Sequence, residues 1–568
     1  MKTSTRKILD KSFSALALSS MAIMGAVAVA FLAPIIIKGA GAVYFDATVE
    51  HFKFLREVLD RGSESELAQM VSRSDAAREK LYSLMRAYEL PADFAELSGK
   101  IAAARNEVFA KAAAQSQSQS FIKILDENGG AAAAPIIKAE GEKLFAPYGR
   151  LVADSAKHPS PAMAEFLAGE RETLQKAVRK FTAKLGEIRK LSVLEKGRIR
   201  RELPASALAA VADAAEKAAQ SNAAYAAFKA GVAELLGPMT AAEKESAKMM
   251  RRRFGQTRMD NAVKVLDESV LHIRIMSADA QGRQTSESVD VREHFKGTPL
   301  AEMAECAERN LAAMMQPRHT FYWGFFYDSP YDSNIFGGIF PMILGTFYLT
   351  AGAMIFAAPL GIVAAIYFSE YAKNGRVVNF LRMCVGTLAG VPSIVFGLFG
   401  LAFLINTVKV SESKSVLAGS ITLALLILPT IIRSCEEALK TVPNSYREAA
   451  LGLGAGKWRA ICTVILPAAL PSMLTGIIIS MGRAAGETAP IIFTAATSTG
   501  AALALGDVFT QATPALPWNI YNICSEHEMA DKIVHVQYGM VLTLIAIVLA
   551  LNSVAIVVRD RLGRKLRG

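Results

Sequence analysis

Long apolar runs constrain this chain more than any other feature. The hydrocarbon core of a bilayer is about 30 Å thick, and a helix crosses it in about 20 residues. Uncharged or nearly uncharged runs near or above that length fall at about 13–37, 336–368, 378–407, 416–433, 464–494 and 537–558. The first follows a basic start (Lys2, Arg6, Lys7, Lys11). The apolar region of a cleaved signal peptide is only about 7–15 residues long, so this longer run reads as a retained transmembrane helix with its N-terminus in the cytoplasm.

The net charge of +11 raises nucleic acid as a partner, and its placement speaks against that. Residues 1–12, 369–383, 433–460 and 558–568 carry +3, +2, +2 and +4, which accounts for the whole excess. These are flanks of the apolar runs. Counting crossings from a cytoplasmic N-terminus places 370–382, 433–459 and 559–568 in the cytoplasm, the same segments that carry the positive charge. Topology and charge therefore agree. The five cysteines show no C-x-x-C spacing, so neither a zinc site nor a redox dithiol is supported. Cys384, Cys435 and Cys462 read as packing residues, while Cys306 and Cys524 would both lie outside the cytoplasm, where pairing is chemically open to them.

Between the first and second runs lie residues 43–320, rich in Ala, Lys, Glu and Arg. Apolar positions recur at spacings of three and four over 46–125, 163–202, 206–235, 240–275 and 298–315, the pattern of amphipathic helices. Breakers are expected at the Gln-Ser repeat 115–120, Gly129-Gly130 with Pro135, His158-Pro159-Ser160-Pro161, Pro204 and Gly237-Pro238. One short strand is suggested near 270–275. The segment shows no metal cluster, nucleophile elbow or phosphate loop, and its position after an outward helix places it outside the cytoplasm. The aromatic cluster F-Y-W-G-F-F-Y (321–327) then reads as an anchor at the membrane–water interface. Residues 495–536, with Pro514, Pro517 and Trp518, are expected outside, against the outer face.

Two stretches carry chemistry. The loop 433–464 contains helix-forming pieces interrupted by Pro443-Asn444 and by L-G-L-G-A-G. A short helix–turn–helix there presents Glu448, Ala449 and Ala450 on one side, with Gly454 permitting the sharp turn. Gly452 to Trp458 bears a faint likeness to a P-loop, but the glycine spacing is short by one, Trp458 stands where Ser or Thr would bind magnesium, and no strand precedes it. The second stretch is R-A-A-G-E-T-A-P (483–490), which sets Arg483 and Glu487 four apart and well inside an apolar run. On a helix they share a face and can pair. Charges at that depth are costly and mark either a solute pathway or a structural ion pair. Gly486 and Pro490 weaken the helix around them, Thr488 adds a hydroxyl, and the arginine fork suits an oxyanion.

These residues carry a resemblance. E-A-A-L-G-L-G (448–454) followed by V-I-L-P (464–467) resembles the EAA loop of ABC importer permeases, with Val464 in place of the usual isoleucine. R-A-A-G-E-T-A-P is similar to the PstA-type permease subunit of the bacterial phosphate importer. A-A-P-L-G-I-V-A-A-I-Y-F-S-E-Y-A (357–372) and V-P-S-I-V-F-G-L-F-G-L (391–401) resemble the same family.

The resemblance implies an all-α, polytopic membrane protein with six transmembrane helices in the type I ABC importer permease fold. A large helical extracytoplasmic domain would lie between helices 1 and 2. Residues 1–42 would hold the cytoplasmic N-terminus and first helix, 43–320 the insert, and 321–568 the permease core with its EAA coupling loop at 433–467. By the same resemblance the partners are a second, PstC-type permease, cytoplasmic ATPase subunits and an extracytoplasmic phosphate-binding protein. Glu448, Ala449, Ala450 and Gly454 would couple to the ATPase; Arg483, Glu487, Thr488 and Gly486 would line the substrate pathway. No catalytic residue, metal or cofactor is implied, and the chain is not expected to be an enzyme. The insert departs from the family, which usually has a short segment or a modest extension there. Another oxyanion, sulfate or molybdate, stays open as cargo, and a membrane-anchored sensor stands as the other class.

Overall fold

The computed structural model describes residues 3–113, 115–155, 160–181, 192–202, 205–239, 253–278, 284–373 and 375–567. It falls into two compact units, Met1–Phe45 with His319–Gly568, and Asp46–Arg318. Helix α1 (Thr3–Ala40) opens the first unit, and its Ala15–Ala40 stretch is long and apolar enough to cross a membrane. Its apolar side chains stay exposed, as they would against lipid or a partner helix.

Among the described residues the second unit is helical, with one hairpin. Helix α2 (Val49–Leu59) stops at Asp60, which takes the left-handed conformation. Helix α3 (Glu64–Glu89) starts from Ser63, whose hydroxyl accepts from the Glu66 amide, and stops before Pro91. Then come α4 (Phe94–Ala113), α5 (Gln115–Ser155), α6 (Pro161–Phe181), α7 (Val193–Glu202) and α8 (Ala205–Leu236). After them lie α9 (Met259–Val265), β1 (His272–Ala278), β2 (Gln284–Asp290) and α10 (Pro299–Met315). Helix α8 serves two cores. Ala207, Val211, Ala214 and Ala218 pack with Ile101, Phe145, Tyr148 and Leu167. Tyr225, Phe228, Val232 and Leu235 pack with Leu81, Met85, Val270 and Met303. Both sets repeat every three or four residues, so a single stripe is buried along the helix. Inside the second core Arg78 pairs with Glu50 at 2.8 Å and donates to the carbonyls of Leu236 and Met314, which neutralises a charge that burial alone would penalise.

Several local expectations fail here. The breakers expected at 115–120, Gly129-Gly130 and Pro135 all lie inside α5, which carries Pro135 and Pro147 within it. A proline disturbs one turn and kinks a helix more readily than it ends one, and Phe145, Tyr148 and Val152 seat α5 in the core. The suggested strand begins at His272, after a wide turn at Leu266–Leu271, and pairs antiparallel with β2 so that His272 faces Asp290 and Ile275 faces Glu287. The stop at Gly237, with φ +83°, falls where expected. His158-Pro159, Pro204 and parts of two expected helices, 182–191 and 240–252, lie outside the described residues.

The first unit resumes with the aromatic cluster, which is divided: Tyr322 and Phe325 are buried, while Phe321, Trp323 and Tyr327 are exposed. Helix α11 (Phe340–Ile366) continues through a wide turn at Tyr367–Tyr371. Next are α12 (Arg376–Leu388), α13 (Ser393–Phe399, extended through Gly400–Thr407), α14 (Val416–Lys440), α15 (Asn444–Gly452) and α16 (Lys457–Ala460). The rest are α17 (Leu466–Gly486), α18 (Ala489–Thr494), α19 (Leu516–Ser525) and α20 (Val534–Arg567). Among the described residues, five helices are long and apolar enough to span. The run at 378–407 is not one straight helix: α12 and α13 meet at 103° across Gly390 and Pro392, and a sixth span results when the bent pair counts as one.

The core of this unit lies along α14. Its Leu423, Ile427 and Ile431 pack on Leu349, Ala353 and Ala357 of α11 and on Ala469 and Met473 of α17. Close approach relies on small residues, as is usual where lipid gives helices no hydrophobic reason to associate. A side chain at Gly352 would run into Ser420, at Gly361 into Ile431, and at Gly476 into Ser434. Residues 495–536 pack into the unit rather than only lying over it. The Leu516 amide donates to Thr346 Oγ1 at 2.9 Å, the Val416 amide to the Gln511 carbonyl at 3.1 Å, and Ala515 is fully buried.

Candidate translocation and coupling sites

Arg483 stands in the last turn of α17, which ends at Gly486; Glu487 follows in extended conformation. The helix breaks there because Pro490, just inside α18, cannot continue a hydrogen-bonded ladder. Arg483 Nε donates to Glu487 Oε1 at 3.1 Å, with the arginine half-exposed and the glutamate side chain 17 % exposed. The expected pairing is present, and it uses one nitrogen. The terminal guanidinium nitrogens make no other hydrogen bond among the described residues. Half-buried Thr488 caps α18 without using its hydroxyl. Apart from its chain neighbours and its own helix backbone, nothing lies within 4 Å of the position a Gly486 side chain would take, so that side of the break is open. Open donors, a neutralising carboxylate and open space therefore meet at one helix break, an arrangement that can take a solute oxyanion on the open donors while the carboxylate keeps Nε.

The second constellation lies at α15 and α16. Gly454 turns the chain between them at φ +82°, a left-handed conformation that glycine adopts without strain. Glu448 and Ala449 are exposed, and so are Tyr446, Leu451, Leu453 and Trp458. Ala450 does not share that face. It is buried, and its carbonyl accepts from the Ala455 amide at 3.1 Å, so helical phase turns it into the unit. Nor does the loop begin at Arg433, since α14 continues to Lys440. The stretch from Gly452 to Trp458 follows a helix, in line with its rejection as a P-loop.

Sequence reasoning missed Arg447. Its guanidinium meets both carboxylate oxygens of Glu370, the closest at 2.7 Å, and donates to the Leu439 and Val442 carbonyls at 2.9 and 2.7 Å. It joins α15 to the end of α11 and to the last turn of α14. The two charges are 77 positions apart, so no local pattern could reveal the contact. Among the described residues no group of three or more His, Cys, Asp or Glu is placed to hold a metal ion, and all five cysteines are free.

The first unit is thus an apolar helix bundle with a charged helix break and an exposed helical turn. Residues 357–568 match the model for the binding-protein-dependent transport system inner membrane component. The chain is 36% identical over 231 residues to the phosphate transport system permease protein PstA 1 of Mycobacterium tuberculosis, covering 41% of this chain and 72% of that protein. It is 37% identical over 163 residues to the probable ABC transporter permease protein YqgI of Bacillus subtilis, covering 29% of this chain and 55% of that protein. It is 42% identical over 166 residues to PstA of Yersinia pestis, again spanning 55% of the relative. The chain thus spans about half the length of two of these relatives and nearly three quarters of the third. It belongs to the binding-protein-dependent inner membrane permeases, as a PstA-type member with the type I ABC importer permease fold. It is accordingly a multi-pass inner-membrane protein, and the relatives it matches are permease proteins.

Proposed function

We propose that this chain is a phosphate-translocating permease subunit of an ATP-driven importer. It works with a second, PstC-type permease, cytoplasmic ATPase subunits and an extracytoplasmic phosphate-binding protein. Both termini are cytoplasmic, and residues 43–320 form an extracytoplasmic domain. The observation that carries the reading is Arg483, held to Glu487 through Nε alone and open at its other donors beside Thr488 and the open side of Gly486. An entering phosphate takes the open donors of the guanidinium, while Glu487 holds the arginine in place and keeps the empty site near neutral, so that release costs little. Closure of the ATPase subunits presses on Glu448 and Ala449 of α15. Gly454 sets the angle of the turn, and Arg447 passes the displacement to α11 and α14. The names of the mycobacterial and Yersinia relatives support phosphate as the cargo.

The test is uptake of radiolabelled phosphate at low external concentration, in cells without another phosphate importer, with sulfate and molybdate as competitors. Arg483→Gln is expected to lower uptake about 10- to 100-fold, the loss for a charge-assisted contact. The exchanged pair R483E/E487R is expected to be inactive while the complex still assembles. Full uptake by the exchanged pair would mean that the two side chains only brace the helix break. Intact phosphate uptake without the chain, with sulfate or molybdate uptake lost, would reassign the cargo.

A further inference from the structure

A cavity of about 320 Å³ lies between α12 and α14, at the same end of the unit as α15. Phe368, Arg382, Arg433, Glu436, Glu437 and Lys440 line it. Glu436 is committed: its Oε1 takes both Arg382 at 3.0 Å and Lys440 at 2.7 Å. Arg382 also donates to the Phe368 carbonyl at 3.0 Å and lies 5.8 Å from that ring, yet its Nε is buried with no partner. Arg433 makes no hydrogen bond or ion pair among the described residues. Although Glu437 stands four positions on, the guanidinium turns away and rests against Gly386, where a methyl group would lie 2.7 Å from Nη2. Three cations face two carboxylates, which leaves one positive charge unbalanced.

We propose that this cavity is a binding site for a singly charged phosphoryl group, either the phosphodiester of an anionic lipid headgroup or free monobasic phosphate. The planar fork of Arg433 offers paired donors to two phosphoryl oxygens, and the charge of Arg382 on the cavity wall adds to the attraction. Glu437 limits the site to one negative charge and discourages a dianion. A basic pocket between membrane helices on the positive-flanked side is where an anionic headgroup is met. The site is separate from the pair on α17 and stands whether or not that pair carries phosphate.

The full chain is purified in detergent and stripped of lipid, and two probes are added separately. Phosphatidylglycerol, with diacylglycerol as the control lacking phosphate, is followed by native mass spectrometry. Radiolabelled inorganic phosphate is followed by equilibrium dialysis in the Arg483→Gln background, so that α17 does not contribute. Arg433→Gln is expected to weaken the responding probe by about tenfold or more. Gly386→Ala keeps every charge but displaces the guanidinium, and should weaken it similarly, with thermal unfolding confirming that both variants are folded. A response to phosphatidylglycerol identifies a headgroup site, and a response to phosphate alone an ion site. Wild-type binding of both probes by both folded variants would overturn the proposal.

Discussion

The contact between Arg447 and Glu370 is the most exposed point of the proposed coupling route to experiment. Glu370 is 8 % exposed at its side chain and Arg447 21 %. Removing one member of a fully buried pair costs about 3–5 kcal/mol, because the other charge is left uncompensated. This pair lies at the end of α11 with the arginine one-fifth open, so screening lowers the expected cost of Arg447→Ala to about 2–3 kcal/mol, including the two carbonyl contacts. Glu370→Gln keeps the shape and the carbonyl contacts and should cost about 1–2 kcal/mol. In a double-mutant cycle on the purified complex the two substitutions should be non-additive by at least about 1 kcal/mol. Phosphate uptake should fall in both variants while ATP hydrolysis continues, because the docking turn no longer moves the membrane helices. Coupling below about 0.5 kcal/mol, which is the ordinary scatter of independent sites, would refute the clamp. So would full uptake in a folded Arg447→Ala complex.

Two further outcomes follow from particular residues. In the second unit, burial holds the His51 imidazole far below its ordinary value of 6.5, at about 3, and the positive charge of Arg258 adds to this. The unfolded chain therefore binds the proton first, so stability is full above about pH 6.5 and is lost as pH falls toward 3, by about 2 kcal/mol at pH 5. His51→Gln should flatten that loss in thermal unfolding of the full chain between pH 7.5 and 5, and equal pH slopes in the two proteins would count against it. At the docking turn, Gly454→Ala adds a methyl group to open space but forces a left-handed alanine, costing about 1 kcal/mol and tilting α15 against α16. Uptake should drop with the variant still folded, and an unchanged rate at limiting ATP would show that the angle of the turn is not used.

What the sequence made legible was whatever depends on neighbours along the chain. Apolar runs announce spans because length alone decides whether a helix can cross. Arg483 and Glu487 announce their pairing because they are four positions apart. Even the bend between α12 and α13 left a signal, Gly390 and Pro392, masked by the unbroken apolarity of 378–407. What stayed hidden depends on which face of an element meets something distant. Ala450 looked interchangeable with Ala449 until the packing of α15 fixed its helical phase. Strand β2, polar except for Val289 as Q-T-S-E-S-V-D, has no alternation to detect and exists because β1 pairs with it. The end of α14 shows both kinds of information in one segment. Its charges suggested a loop from Arg433 onward, yet Cys435, Ala438 and Leu439 are buried while Arg433, Glu437 and Lys440 are exposed. That is helical periodicity at the membrane boundary. Because the helix continues, its charged face stands over α12 and forms one wall of the cavity beside Gly386. The same continuation brings the Leu439 carbonyl within reach of Arg447. An error of seven residues in a helix end therefore conceals both an anion site and a coupling contact, since each is made by the turns that were read as loop.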